Sequence, residues 1–417
     1  MRILLLNQLF DPEPNHLRGL SFAKALVRLG HTVGVLTGFP NYPGGRLYGG
    51  YRVRPLQREV ADGIPIIRVP AYLSHDRSSV GRIASYVTHA LSASIAGPLF
   101  AGQVDVVHVD QGPATLALPA LVLRALRRTP YVYDIGDIWP DSLSTSGMFA
   151  NRLGISLVNR WCETAYRHAS RIIVLSPGFK KELCRRQVPR EKIHVIYNWT
   201  DEVHIGPAPR DERLAAELGL RARFTVMFAG TMGMMQGLDA VLEAAKLLAQ
   251  RGDQRVQFVF VGGGVEAPRL RERAARERIG NVVFVPRQPV SHMSRVLSLA
   301  DAVLVHLKDS ALFRITVPQK TQAYLAAGKP IIMGVRGDAA DLVLRAGAGI
   351  ACVPEDPESI VQAVEALSAL PQVEREAMGL RGRSFYLREL AMDAGIRKLE
   401  EVLRLATGRG PQSAGAG

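Results

Sequence analysis

Short β-branched runs alternate with longer stretches of helical periodicity along the whole chain, the signature of a parallel α/β sheet. Strands are predicted in the first half at residues 3–7, 32–37, 64–69, 104–109, 131–135, 172–176 and 194–197. Between the first two, Phe22, Ala25, Leu26 and Leu29 recur at helical spacing and Gly30 closes the helix, which makes a βαβ unit. A polar stretch over residues 200–218, carrying Gly206-Pro207 and Pro209, interrupts the pattern. The alternation restarts at residues 224–228 and continues through predicted strands at 258–261, 282–285, 302–306, 330–333 and 350–353. A chain of 417 residues with 47% hydrophobic content can bury two cores of roughly 200 residues each. Two domains are expected, residues 1–203 and 204–383, with a last helix over about 384–406 packing back on the first and a disordered Gly, Ala and Ser rich tail at 407–417.

The three cysteines, Cys162, Cys184 and Cys352, form no C-x-x-C pair, and no histidine cluster has ligand spacing, so neither a disulfide framework nor a metal site is indicated. Met1 to Gln8 reads as an apolar strand rather than a secretion signal, and a cytoplasmic setting is expected. The formal charge of +14 calls for an anionic partner: nucleic acid, a phosphorylated ligand or an acidic membrane. Nucleic acid is disfavoured, because no basic stripe with interleaved aromatics is visible and aromatic residues make up only 6% of the chain. Residues 83–104 carry no charge over 22 positions, long enough to span a bilayer. Ser85, Thr88, His89 and the Gly97-Pro98 step nevertheless favour a buried domain helix, with a helix resting at a membrane interface as the second reading.

In open α/β sheets, ligands bind beyond the carboxyl ends of the strands. Four segments fall there. The loop after the first strand carries Asp11, Glu13, Asn15, His16 and Arg18 and ends at Gly19; it is either a ligand-facing loop or a proline-turned surface connection. Tyr133-Asp-Ile-Gly-Asp-Ile-Trp-Pro-Asp141 places Asp134 and Asp137 at a strand end on the ligand side, or else Asp137 or Asp141 caps a helix and Trp139 packs as a core anchor. Gly230, Gly233 and Gly237 precede a helix in a spacing that is neither the dinucleotide fingerprint nor a P-loop, and Gly262-Gly263-Gly264 repeats the arrangement one unit later. Two glycine loops at successive strand ends suit a nucleotide. Pro318 opens a short helix that puts free amides beside Lys320, a second anion-binding feature.

Taken in order, these segments resemble the GT-B, family-4-like retaining glycosyltransferases, and within them the branch that adds N-acetylated deoxysugars such as L-fucosamine in bacterial surface-polysaccharide assembly. The resemblance is carried by Phe10-Asp-Pro-Glu13, Asn41-Tyr-Pro43, Asp137-Ile-Trp-Pro-Asp-Ser142, Val174-Leu-Ser-Pro-Gly-Phe179, Gly230-Thr231 with Gln236-Gly-Leu-Asp239, and Val317-Pro-Gln-Lys320 with Tyr324-Leu-Ala-Ala-Gly-Lys-Pro330. It implies an α/β fold of two Rossmann-like domains facing a cleft. The donor would be a nucleotide-diphosphate sugar, UDP-linked, held by Gly230, Thr231, Gly233, Gln236, Gly262, Gly263, Thr316, Val317, Gln319 and Lys320. The acceptor, a lipid-linked saccharide or lipopolysaccharide, would meet Glu13, Asn15, His16 and Arg18, with Asp137 as the residue at the transferred sugar. No metal and no cofactor is implied, and the enzyme would work peripherally on the anionic inner face of the cytoplasmic membrane.

Two departures stand out. Relatives carry a Glu-x7-Glu pair where this chain has Ile315 and Ala323, and basic residues where it has Met234, Met235 and Gln236. Lys320 or Arg314 is left to face the diphosphate and Gln319 or Gln322 the ribose, Gln319 being the better placed, four residues before Ala323 on the same helix face. The competing readings are a nucleotide-sugar 2-epimerase of the same architecture, which needs cleft carboxylates and histidines to move a proton at carbon 2, and a catalytically degenerate scaffold.

Overall fold

The computed structural model describes residues 1–74, 79–139 and 152–409. The chain divides into two compact units, Met1–Tyr197 with Gly395–Gly417, and Asn198–Ala394.

The first unit is built on β1 (Arg2–Leu6), β2 (Thr32–Gly38), β3 (Gln57–Ala61), β4 (Ile64–Val69), β5 (Val106–Gln111), β6 (Tyr131–Ile135), β7 (Arg171–Val174) and β8 (Ile193–Val195). They form one sheet in the order β3-β4-β2-β1-β5-β6-β7-β8, parallel except for β3, which runs antiparallel to β4. The central strands read as apolar runs because both faces are covered, and Leu4, Leu5 and Leu6 are buried. β3 is absent from the sequence prediction. Its residues alternate between half-buried and exposed, so it lacks the apolar run of a central strand. Asp62-Gly63, both at positive φ, form the two-residue turn that pairs Ala61 with Ile64.

Residues 83–100 of the uncharged window lie in the helix Ser79–Phe100, which also carries Arg82. Ser85, His89, Ala93 and Ala96 are buried, on the side where Gly97 closes to Leu36 of β2 and to Leu123 of the helix Ala117–Arg127. The other side is exposed and apolar, so the expected buried helix is buried on one face only. Among the described residues, no helix is long and apolar enough to cross a membrane.

The second unit carries β9 (Phe224–Ala229), β10 (Val256–Val261), β11 (Val282–Val285), β12 (Ala302–His306), β13 (Ile331–Gly334) and β14 (Gly349–Ala351). The sheet order is β11-β10-β9-β12-β13-β14, with parallel pairing throughout the registers. Its core packs Phe228, Phe258 and Phe260 against Val241, Leu242 and Leu248 of the helix Leu238–Gln250.

The C-terminal segment departs from the single helix expected over 384–406. It is two helices, Gln372–Glu389 and Met392–Ala406. The break is a turn in which the amides of Leu390 and Ala391 both reach the Tyr386 carbonyl at 2.8 Å. Glu202 fixes it by accepting the Tyr386 hydroxyl at 2.7 Å and the Met392 amide at 2.8 Å. Further along, Glu400 lies 3.3 Å from His31, which docks the last helix on the first unit.

Candidate functional site

The second unit gathers its glycine loops and one lysine at the carboxyl ends of β9 and β10. Gly230 follows β9 at φ +136° and donates its amide to Val261, while Met232 donates to Gly263, both at 2.8 Å. The two loops are in backbone contact: a Cβ on Gly262 would stand 2.2 Å from the Gly230 carbonyl oxygen, and one on Gly264 2.4 Å from that of Met232. Glycine is therefore required at both positions, which are also at positive φ. Gln236 closes the first loop on itself, its side-chain oxygen accepting the Gly233 amide at 2.9 Å.

Lys320 enters this corner from the helix Gln319–Ala326. One turn later on the same face, the Tyr324 hydroxyl accepts the Ala229 amide at 2.8 Å. That bond ties the helix to the end of β9 and delivers the Lys320 ammonium over the Phe228 ring, 3.6 Å from its centroid. A Cβ on Gly230 would be 2.7 Å from Lys320 Cε. Burial lowers the Lys320 ammonium to about 7, so the chain holds here a cation that an arriving anion would recharge. The helix begins at Pro318 with no side-chain cap, leaving amides at its first turn for the same anion.

His306, which the sequence reading passed over, supports the loop from β12. Its Nδ1 donates to the Gln236 carbonyl at 2.7 Å and its Nε2 accepts the Glu355 amide at 3.0 Å. Both nitrogens are thereby assigned in the neutral ring, and burial lowers its basicity accordingly. A histidine closing a buried apolar strand was the available signal.

Other predicted donor groups are placed differently. The Thr316 hydroxyl donates to the Leu312 carbonyl at 2.8 Å, Val317 is buried, and Thr231 and Gln319 are exposed. Gln322 is buried, and its amide nitrogen is placed to donate back to the Pro318 and Gln319 carbonyls of its own helix. Arg314 is paired with Asp309 at 2.8 Å, so of the two basic candidates Lys320 is the one that faces the glycine loops. A hollow of about 920 Å³ near Arg221, Arg223 and Arg375 opens at the amino end of β9, the end of the sheet away from these loops and from the ligand edge of such folds.

In the first unit, the loop after β1 is held by its own polar groups. The Glu13 carboxylate is buried and accepts the amides of Asn41 and Tyr42, each at 2.8 Å. Burial raises its pKa, against the lowering effect of these bonds. Asn15 donates to the Leu9 carbonyl at 3.1 Å and accepts the Arg18 amide at 2.9 Å. Arg18 is buried with Asp134, Nε to Oδ2 at 2.7 Å, and His108 reaches the same oxygen at 3.2 Å. Burial alone would raise the Asp134 carboxyl, but Arg18 and His108 more than reverse this and hold it at about 2. His16 and Asp137 are exposed. Desolvation by the surrounding protein raises the Asp137 carboxyl. Asp141 and Ser142 of the same motif lie outside the described residues.

Residues 18–199 match the family described as "Glycosyl transferase 4-like domain", and residues 223–369 match "Glycosyl transferases group 1". The chain is 24% identical over 394 residues to a protein of Escherichia coli (strain K12) named as a colanic acid biosynthesis glycosyl transferase, covering 89% of this chain and 93% of that one. Among solved structures, HepE of Anabaena in complex with UDP and glucose superimposes with a TM-score of 0.65 at 17% identity, over 96% of this chain and 98% of that one. Sucrose-phosphate synthase of Thermosynechococcus elongatus gives 0.68 at 16% identity, over 97% and 98%.

Proposed function

Because the chain belongs to the GT-B glycosyltransferases, joining a glycosyl transferase 4-like domain to a group 1 domain, we propose that it moves a sugar from a UDP-linked donor to a lipid-linked saccharide or lipopolysaccharide in bacterial surface-polysaccharide assembly, with retention at the anomeric carbon. The observation that carries this is Lys320, a cation set against Phe228 and the Gly230 loop. A diphosphate is the ligand that such a cation, with glycine-loop and helix-terminal amides around it, is suited to hold. The UDP bound by HepE of Anabaena supports a uridine donor, and the colanic acid relative supports a surface polysaccharide as product.

On this reading the second unit binds the donor and the first the acceptor. As the bond from the anomeric carbon to the diphosphate breaks, Lys320 and the amides of the Gly230 loop and of the helix Gln319–Ala326 stabilise the charge on the leaving phosphates. Asp137 positions the transferred sugar. Glu13, Asn15 and Arg18 shape the acceptor loop that presents His16. The enzyme works peripherally at the inner face of the cytoplasmic membrane, and an N-acetylated 6-deoxyhexosamine is the first sugar to test.

A thermal-shift panel of nucleotides and nucleotide sugars tests the reading, since a ligand at 100 times its dissociation constant adds roughly 2.7 kcal/mol of stability. Stabilisation by UDP and UDP-sugars is expected. Product analysis then separates transfer from 2-epimerisation, because an epimerase converts the donor with no acceptor present.

A further inference from the structure

The helix Ser79–Phe100 has an unusual outer face. Among its described side chains, Val80, Val87, Leu91, Ile95, Leu99 and Phe100 are the exposed ones, all apolar. The spacing of four from Val87 through Leu91 and Ile95 to Leu99, with Val80 two turns before, lines five of them up as one stripe, roughly 28 Å long at 1.5 Å per residue. Ile95 and Leu99 are 66% and 65% exposed, and they continue the row begun by Val87 and Leu91 rather than standing singly among polar neighbours. The helix is fixed in the fold by that opposite side: Thr115 donates to the Tyr86 carbonyl at 3.1 Å, and His89 bonds Gln8, just beyond β1, at 2.9 Å. The stripe cannot turn inward.

The charged side chains on this helix and on its neighbour are all basic. Neither this helix nor its neighbour Ala117–Arg127 contains Asp or Glu. The Arg127 guanidinium donates to the carbonyls of Pro98 and Gly102, which clamps the arginine-bearing end of the neighbour against the end of the stripe. Arg124 and Arg128 are exposed in that corner, and the Arg58 guanidinium lies 5.6 Å from the Phe100 ring centroid.

We propose that this face rests on an anionic lipid leaflet, with Val87, Leu91, Ile95 and Leu99 entering the acyl boundary and the arginines at its rim meeting lipid phosphates. An apolar stripe rimmed by cations is the pattern of a helix lying in a membrane interface. The inference deepens the proposed membrane-side acceptor and rests on that reading for its choice of lipid as occupant. Because the helix contacts the loop after β1 through His89, lipid docking would bring the acceptor loop to the bilayer surface.

The test is co-sedimentation of the full chain with vesicles of phosphatidylcholine containing about one-third phosphatidylglycerol, and with pure phosphatidylcholine. The wild type is expected to bind the anionic vesicles, less so as salt screens the arginines. Leu91→Glu combined with Ile95→Glu should weaken binding at least about tenfold, with melting temperature and stabilisation by UDP unchanged. Leu91→Trp should bind and shift its emission to the blue. Equal binding by the double variant, or no vesicle binding by the wild type, overturns the proposal. So does a wild-type dimer that the double variant dissociates, which would assign the face to a second copy. Vesicle binding without UDP binding would instead refute the uridine-donor reading and leave this face standing.

Discussion

The Lys320 ammonium lies 3.6 Å from the centroid of the Phe228 ring and against Gly230, and burial brings it down to about 7. A bound diphosphate restores the charge, so binding above neutrality must take up a proton. UDP affinity is therefore expected to fall as pH rises from about 7 towards 9, by up to about tenfold per unit. Calorimetry in two buffers of unlike ionisation enthalpy measures the proton uptake directly. Lys320→Arg, which stays charged, should bind with a flat profile over the same range.

The buried pair Arg18 and Asp134 makes a stability prediction. With both side chains at 5% exposure or less, removing one partner leaves an uncompensated charge, and Asp134→Ala is expected to cost about 3 to 5 kcal/mol. The sign with pH follows from its pKa of about 2 in the fold, against about 3.9 in an unfolded chain. The contribution is present above the unfolded value and is lost as pH falls through about 2. Urea melts at a series of acidic pH values should show the wild type losing stability more steeply than Asp134→Asn.

Gly262→Ala should damage the donor loops. The position is at φ +134°, and the new Cβ would lie 2.2 Å from the Gly230 carbonyl oxygen. Backbone strain alone costs about 1 to 3 kcal/mol, and the clash displaces the loop that Lys320 faces. Denaturant titration should show lowered stability, and UDP should no longer stabilise the variant.

Asp137→Asn separates a site residue from a helix cap. Loss of a cap costs about 1 kcal/mol. Asp137 is exposed in the fold, so where it caps nothing its replacement should leave the melting temperature nearly unchanged. Turnover should drop by about 100-fold or more. A lower melting temperature with turnover intact would favour the cap.

Most strands were legible because they are apolar runs buried on both faces, as in Phe258 to Val261. β3 escaped because its residues alternate between half-buried and exposed, although Asp62-Gly63 was a readable hairpin turn. The break at Leu390 depends on Glu202, distant in sequence, and no local periodicity could show it. The glycine loops and Lys320 were found from spacing, yet their closure on Phe228, Tyr324 and His306 needs three strands and a helix brought together. The internal partners of Glu13 and Arg18 were not legible, since Asn41, Tyr42 and Asp134 are distant in sequence: in the fold, Glu13 holds the amides of Asn41 and Tyr42, and Arg18 holds Asp134.

Titration of UDP into the wild type and Lys320→Ala, followed calorimetrically near neutral pH, tests the donor site most directly. The account predicts saturable binding by the wild type and at least about tenfold weaker binding by the variant, about 1.4 kcal/mol, with an unchanged melting temperature. Equal affinity in the two proteins, or no binding of UDP to the wild type, would contradict it.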